Sequence, residues 1–236
     1  EFGIKSASAE FNFSEIMERV QSIVKKIAPH DSIERYTNLG VNYFSGFAKI
    51  LSPNQADING KILTTKNIIT ATGAKPTILA MPGLNKVKFL TTDNLWNIRE
   101  LPKRFFILGG GPIGAELSRC FARLGSKVTL IEMIPNILIR EDDEISYALR
   151  KSIELEGVDV HIKTVCKEIL IKNGKHFMLC EKIGQKQEIE SDKILLAVGR
   201  TANTKGFGLK NIGTKLDSHG KIVVDNYLRS VTHKNI

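Results

Sequence analysis

Apolar positions recur at helical spacing over residues 15–28. Ile16, Val20, Ile23 and Ile27 fall on one face, Ser14 stands where a cap belongs, and Pro29 ends the run. Short strand-like runs follow at 41–44, 47–51 and 61–64. Asn59-Gly60 reads as a two-residue hairpin turn, because both residue types tolerate positive φ. Residues 68–72 read as a buried strand running into Gly73, and 75–83, with Pro76, Pro82 and Gly83, reads as a boundary loop.

The texture changes at Arg104. A buried strand over 105–108 meets a glycine cluster and then a helix, with Ile113, Leu117, Cys120, Phe121 and Leu124 expected on its apolar face and Gly125 at its end. A strand over 128–132, a helix over 143–156 closed by Gly157, and a strand over 158–162 complete a β-α-β-α-β order, which implies a parallel sheet with crossover helices. Residues 165–182 read as an antiparallel hairpin around Asn173-Gly174, and 192–198 as one more buried strand ending at Gly199. No fixed-period repeat is present.

Composition narrows the class. The 236 residues suit one large domain or two small ones, and 42% hydrophobic with 25% charged residues describes an ordinary folded chain. No apolar run approaches the ~18 residues of a membrane span, and no signal peptide is visible. Three cysteines cannot frame a secreted domain, so a reducing, cytoplasmic setting is expected, with the thiols free and buried. The net charge of +9 is spread along the whole chain, with acids interspersed and no interleaved aromatics, which argues against a nucleic-acid partner. The five histidines make no metal spacing, and no catalytic nucleophile stands out, so neither a metal ligand nor a catalytic residue is expected.

The candidate chemistry lies in Gly109-Gly110-Gly111-Pro112-Ile113-Gly114, a G-x-G-x-x-G placed directly after a strand and opening a helix. Gly109 permits the tight turn, Gly111 lets a pyrophosphate approach the backbone, and Gly114 lets the helix pack on the strand. The helix N-terminus offers N–H groups and partial positive charge to phosphates. Glu132 ends the next strand, 21 positions after Gly111. A carboxylate there accepts from adenosine ribose hydroxyls and repels a 2′-phosphate. Met133 and Ile134 supply no cation, so NADH is expected over NADPH.

At this point the chain resembles the pyridine nucleotide-disulfide oxidoreductases, in particular their mercuric-reductase-like and dihydrolipoamide dehydrogenase-like members. The likeness is carried by residues 101–117 around the glycine loop, by Phe121-Ala-Arg-Leu-Gly-Ser-Lys-Val128, and by Pro135 through Glu144. It extends to Ala71-Thr72-Gly73 and to Val198-Gly199-Arg200-Thr-Ala-Asn203. It covers nearly the whole chain. The resemblance implies an α/β fold in which a Rossmann-like NAD-binding domain, a parallel sheet plus an antiparallel β-meander, is inserted in a partial FAD-binding domain. It implies that Gly109, Gly110, Gly111, Pro112, Ile113, Gly114, Ala115 and Glu116 line the nucleotide, that Val165 touches the adenine, and that Gly199 meets the nicotinamide end. Ala48, Thr72, Gly73 and Ala74 match positions that contact FAD. Glu116 matches a glutamate near the nicotinamide that pairs with a flavin-domain lysine; a first-turn acid favoured by the helix dipole is the plainer alternative.

The family chemistry passes hydride from NADH to FAD and on to a redox disulfide, a metal ion or a related acceptor. Its C-x-x-x-x-C pair is missing, since Cys120, Cys166 and Cys180 lack that spacing, and so are the flavin-binding glycine loop and the C-terminal dimerisation domain. The expectation is therefore an internal fragment of a homodimeric flavoprotein, inactive alone. Residues 1–75 would be a partial FAD-binding segment, 76–203 the NAD(P)-binding domain, and 204–236 the start of the returning FAD-binding segment. A stand-alone, non-catalytic NAD-binding module is the alternative.

Overall fold

The computed structural model describes residues 9–236. In chain order the helices are α1 (Phe13–Ile27), α2 (Ile33–Asn38), α3 (Pro112–Arg123) and α4 (Asp143–Leu155). The strands are β1 (Ala48–Ser52), β2 (Gln55–Ile58), β3 (Lys61–Thr64), β4 (Ala74–Pro76), β5 (Arg104–Leu108), β6 (Lys127–Ile131), β7 (Asp159–His161), β8 (Val165–Lys172), β9 (Lys175–Lys182), β10 (Gln185–Ser191), β11 (Lys193–Leu196) and β12 (Arg200–Ala202). The chain forms two compact units. One combines the described residues up to Lys26 with Pro76–Gly199, and the other combines Ile27–Lys75 with Arg200–Ile236.

The first unit is built on a four-stranded parallel sheet in the order β11-β5-β6-β7. Side chains alternate across a strand with a period of two, so one apolar run feeds two cores. Phe105, Ile107, Val128, Leu130 and Leu195 join Ala115 and Phe121 of α3, Ile153 of α4, and Phe13 and Met17 of α1. Phe106, Leu108, Ile131, Ile194 and Leu196 join Ile169, Met178 and Cys180 of an antiparallel sheet ordered β10-β9-β8. The result is three layers: helices, parallel sheet, meander. Phe121 is the pivot of the helical side, its ring centroid 4.6 Å from that of Phe105 and 5.9 Å from that of Phe13. Burying such a side chain contributes about 1.5–3 kcal/mol.

Both meander turns place two residues at positive φ, Asn173 (50°) with Gly174 (73°) and Ile183 (50°) with Gly184 (76°), which matches strand twist. The second turn and β10 carry no sequence signal as clear as Asn-Gly, and the pattern did not predict them. Arg119 and Arg123, one turn apart on α3, both reach the Glu156 carboxylate at the end of α4, with Arg123 Nε 2.6 Å from Oε2. These guanidinium groups hold the Glu156 carboxyl down at about 2.

The buried face of α3 differs from the expected one. It comprises Gly114, Ala115, Ser118 and Phe121, rotated towards the small residues, and Cys120 is exposed. Small side chains win because the helix lies directly on the β5 loop. Cys166 is half-buried and only Cys180 is fully buried, so burial holds for one of the three thiols.

The second unit holds the antiparallel sheet β1-β2-β3 and the pair β4-β12. Asn59 (φ 55°) and Gly60 (φ 86°) make the expected hairpin turn, which Asp57 Oδ1 braces by accepting from the Gly60 N–H at 2.8 Å. Ile50, Phe207 and Leu209 form its small core, with Ile68 and Ile222 packed against them. Residues 41–44 form no strand, and neither do 68–72. In the latter run Ile69 is 91% exposed, and the Ile68 N–H bonds the Asn235 carbonyl at 2.8 Å. An apolar run becomes a buried strand only where neighbours cover it on both faces. Among the described residues, no helix is long and apolar enough to cross a membrane, and no cluster of metal-ligating side chains occurs.

Candidate functional site

The glycine loop is held by contacts that explain its composition. Gly109 sits at φ 111°, donates to the Ile131 carbonyl at 2.8 Å, and has the Ala197 carbonyl where a Cβ would stand. A side chain is excluded there twice over, by conformation and by space. Gly110 accepts from the Leu138 N–H at 2.9 Å, and a Cβ on it would lie 2.8 Å from Ile137 Cγ2. Gly114, buried in the first turn of α3, rests on the Gly109 carbonyl.

Gly111 is different. It is the N-cap of α3 with extended backbone (φ −70°, ψ −177°), and a Cβ there would meet nothing within 4 Å. Among the described residues no contact requires glycine at this position; open space lies above it. Pro112 starts the helix, where its missing N–H costs no intrahelical bond. No side chain caps α3. The leading N–H groups of such a helix make an anion site. Ala115 is buried and Ile113 half-buried. Glu116 is exposed, and its side chain makes no hydrogen bond or ion pair among the described residues.

Glu132 follows directly on β6 and is half-buried. Its Oε2 accepts from the Gly110 N–H at 2.6 Å and its Oε1 from the Ile134 N–H at 3.1 Å. Each carboxylate oxygen keeps a further lone pair for a hydroxyl donor. The backbone of Glu132 bridges onward, donating to the His161 carbonyl at 2.8 Å and accepting from the Thr164 N–H at 3.0 Å. Val165, the first residue of β8, follows at once and is half-buried. Gly199 lies just past β11 at φ 101°, exposed, its carbonyl accepting from the Thr77 N–H at 3.0 Å. The loop after β5, Glu132 after β6, Val165 beyond β7 and Gly199 beyond β11 all stand at the carboxyl ends of adjacent parallel strands, where open α/β sheets take ligands.

Three contributors escaped the sequence reading. Ile137 is fully buried under Gly110, and Leu138 adopts φ 50° while tying its N–H to the loop. Lys163 is exposed at φ 53°, with its N–H on the Ile134 carbonyl at 3.0 Å, so a cation starts from the Glu132 corner. Only the strand–loop–strand register, which sequence spacing does not resolve, brings it there.

The second unit holds a cleft of about 640 Å³ with Phe47, Ile50 and Phe207 in its walls. Ala48 and Thr72 line it; Gly73 (φ 68°) and Ala74 continue the same segment. Thr72 is clasped by Asn203: Thr72 Oγ1 donates to the Asn203 carbonyl at 2.7 Å, and Asn203 Nδ2 donates to the Thr72 carbonyl at 3.0 Å. Thr70, also in the lining, has a buried hydroxyl with no hydrogen-bond partner among the described residues. A buried hydroxyl left unpaired costs about 1–3 kcal/mol.

The family model for the pyridine nucleotide-disulphide oxidoreductases matches residues 5–236. The chain is 34% identical over 235 residues to a dihydrolipoyl dehydrogenase of Acholeplasma laidlawii, covering 98% of this chain and 68% of that protein. It is 29% identical over 233 residues to a mercuric reductase of Staphylococcus aureus, covering 98% of this chain and 42% of that protein. The fold is similar to that of the HOCl-induced flavoprotein disulfide reductase RclA from Escherichia coli, with a TM-score of 0.80 at 25% identity over 95% of this chain and 51% of that one. The chain thus spans between about two fifths and two thirds of the length of these relatives.

Proposed function

The chain belongs to the pyridine nucleotide-disulphide oxidoreductases, and from that premise we propose that it is the NAD(H)-binding part of a longer flavin-dependent oxidoreductase. The parent would pass electrons from NADH to a disulfide, a metal ion or a related acceptor, as a homodimer in the cytoplasm. In this reading residues 76–203 are the Rossmann-like NAD(P)-binding domain, and 1–75 with 204–236 are parts of the FAD-binding domain.

The observation that carries the reading is Gly111: glycine where the protein leaves open space, at the uncapped start of α3, beside a loop whose other glycines are enforced by contact. A residue kept small against nothing inside the protein fits a ligand outside it. The N–H groups of α3 would hold the pyrophosphate, Glu132 would accept from the adenosine ribose, and Val165 would pack on the adenine. Gly199 and Glu116 would stand at the nicotinamide end. The carboxylate also disfavours a 2′-phosphate, which supports NADH over NADPH.

The second-unit cleft fits part of a flavin nucleotide. Its walls are apolar, and Thr70 offers an unpaired hydroxyl. Ala48 and the Thr72-Gly73-Ala74 segment would contact FAD there, and Asn203 would hold that segment in place. FAD, where bound, supplies the acceptor for hydride from the nicotinamide. In that reading the chain's own residues bind and orient the two nucleotides.

Hydrogen exchange with and without NADH tests the site. Protection of residues 109–116, 132–138 and 163–166 is expected. Binding with those segments unprotected would move the site elsewhere.

A further inference from the structure

Two cysteines of the antiparallel sheet stand directly opposite one another. Cys166 of β8 and Cys180 of β9 are register partners in an antiparallel ladder, beside a bulge at Lys167. Opposed residues in such a ladder have Cα atoms about 4.5–5.5 Å apart, inside the ~4.4–6.8 Å range of disulfides. Both side chains enter the same apolar cluster. We propose that Cys166 and Cys180 form a reversible redox pair, which a hydroperoxide oxidises to a cross-strand disulfide between β8 and β9.

The two thiols are unequal in the way such a pair needs. Cys180 is fully buried, whereas Cys166 is half-buried and is the one an oxidant meets. The neighbouring Cys180 thiol lowers the pKa of Cys166, while that same pairing and burial push Cys180 up. Cys166 in its thiol form can point its proton at Met81 Sδ, 3.7 Å away. Cys166 is therefore the attacking thiolate and Cys180 the resolving thiol.

The step balances. The Cys166 thiolate attacks one peroxide oxygen, the O–O bond breaks, and water leaves once the departing oxygen is protonated, with Cys166 now a sulfenic acid. Cys180 Sγ then attacks the Cys166 sulfur. The S–O bond breaks, the S–S bond forms, and the Cys180 proton leaves with the hydroxide as a second water. Two thiols lose two electrons to one hydrogen peroxide. The inference rests on the β8–β9 register and is independent of what the glycine loop binds.

The test uses the full chain with Cys120→Ser, which removes the exposed thiol. The protein is treated with hydrogen peroxide, alkylated, digested and weighed. The expected product is one peptide pair joining Cys166 to Cys180, lighter by two hydrogens than the separate peptides and restored by dithiothreitol. In Cys180→Ser, Cys166 is expected to take up dimedone as the trapped sulfenic acid. Two alkylated thiols after peroxide treatment would overturn the proposal, as would Cys166 oxidised to the sulfinic acid beside a free Cys180. The first measurement needs no substitution in β8 or β9, so a folding defect of the Cys180 variant leaves it intact.

Discussion

Glu132 Oε2 accepts a hydrogen bond from the Gly110 N–H at 2.6 Å, which ties the end of β6 to the loop that follows β5. The same carboxylate is the group assigned to the adenosine ribose. It therefore has two tasks, bracing the loop and receiving hydroxyl donors, and the two separate on substitution. Glu132→Gln keeps an acceptor for the Gly110 N–H, whereas Glu132→Ala keeps none. Calorimetry should find NADH binding weakened by ~1–2 kcal/mol in the alanine variant, with a smaller loss in the glutamine variant. Unchanged affinity in both would remove Glu132 from the site.

Gly111 and Gly114 belong to one motif but answer to different constraints. A Cβ at Gly114 would run into the Gly109 carbonyl, whereas one at Gly111 meets nothing in the protein. Gly114→Ala should lower stability by about 1–3 kcal/mol in denaturant titrations, as overpacking does. Gly111→Ala, which adds no clash and changes only an N-cap residue, should lower stability by less than Gly114→Ala and weaken NADH binding. A Gly111 variant that binds NADH as well as the parent chain would count against phosphate approach at that residue.

The Glu156 clamp predicts an acid limb in stability. Arg119 and Arg123 depress its carboxyl to about 2, below its ordinary 4.5. A depressed folded-state value means that the contribution is fully present above pH 4.5 and is lost as pH falls towards 2. Thermal unfolding of the parent chain and Glu156→Gln should differ at pH 7 and converge near pH 2. The pair is solvated, so the gap should also shrink in high salt.

Much of the first unit was legible because its signals are local. The run Phe105-Phe106-Ile107-Leu108 announces a strand covered on both faces, Asn173-Gly174 announces a hairpin, and Gly109 to Gly114 announces a tight turn from strand to helix. What was not legible depends on contacts distant in sequence. The face of α3 is set by where Gly114 meets Gly109, not by apolar spacing, and this is why Cys120 came out exposed. Residues 68–72 carry the pattern of a buried strand, but Ile69 is left open, because burial depends on what covers a run and not on the run itself. The approach of Leu138, Lys163 and Thr164 to the Gly110–Glu132 corner follows from backbone bonds between separate strands, to which side-chain identity contributes little.

The central claim is that the corner formed by the glycine loop and Glu132 binds a dinucleotide and favours the one without a 2′-phosphate. Parallel calorimetric titrations of the chain with NADH and NADPH test it most directly. Lys163 sharpens the comparison, because a cation starts from the same corner as the carboxylate. The account predicts saturable binding of NADH, with NADPH weaker by roughly tenfold or more, equivalent to about 1.4 kcal/mol. No binding of either nucleotide, or NADPH binding as tightly as NADH, would contradict it.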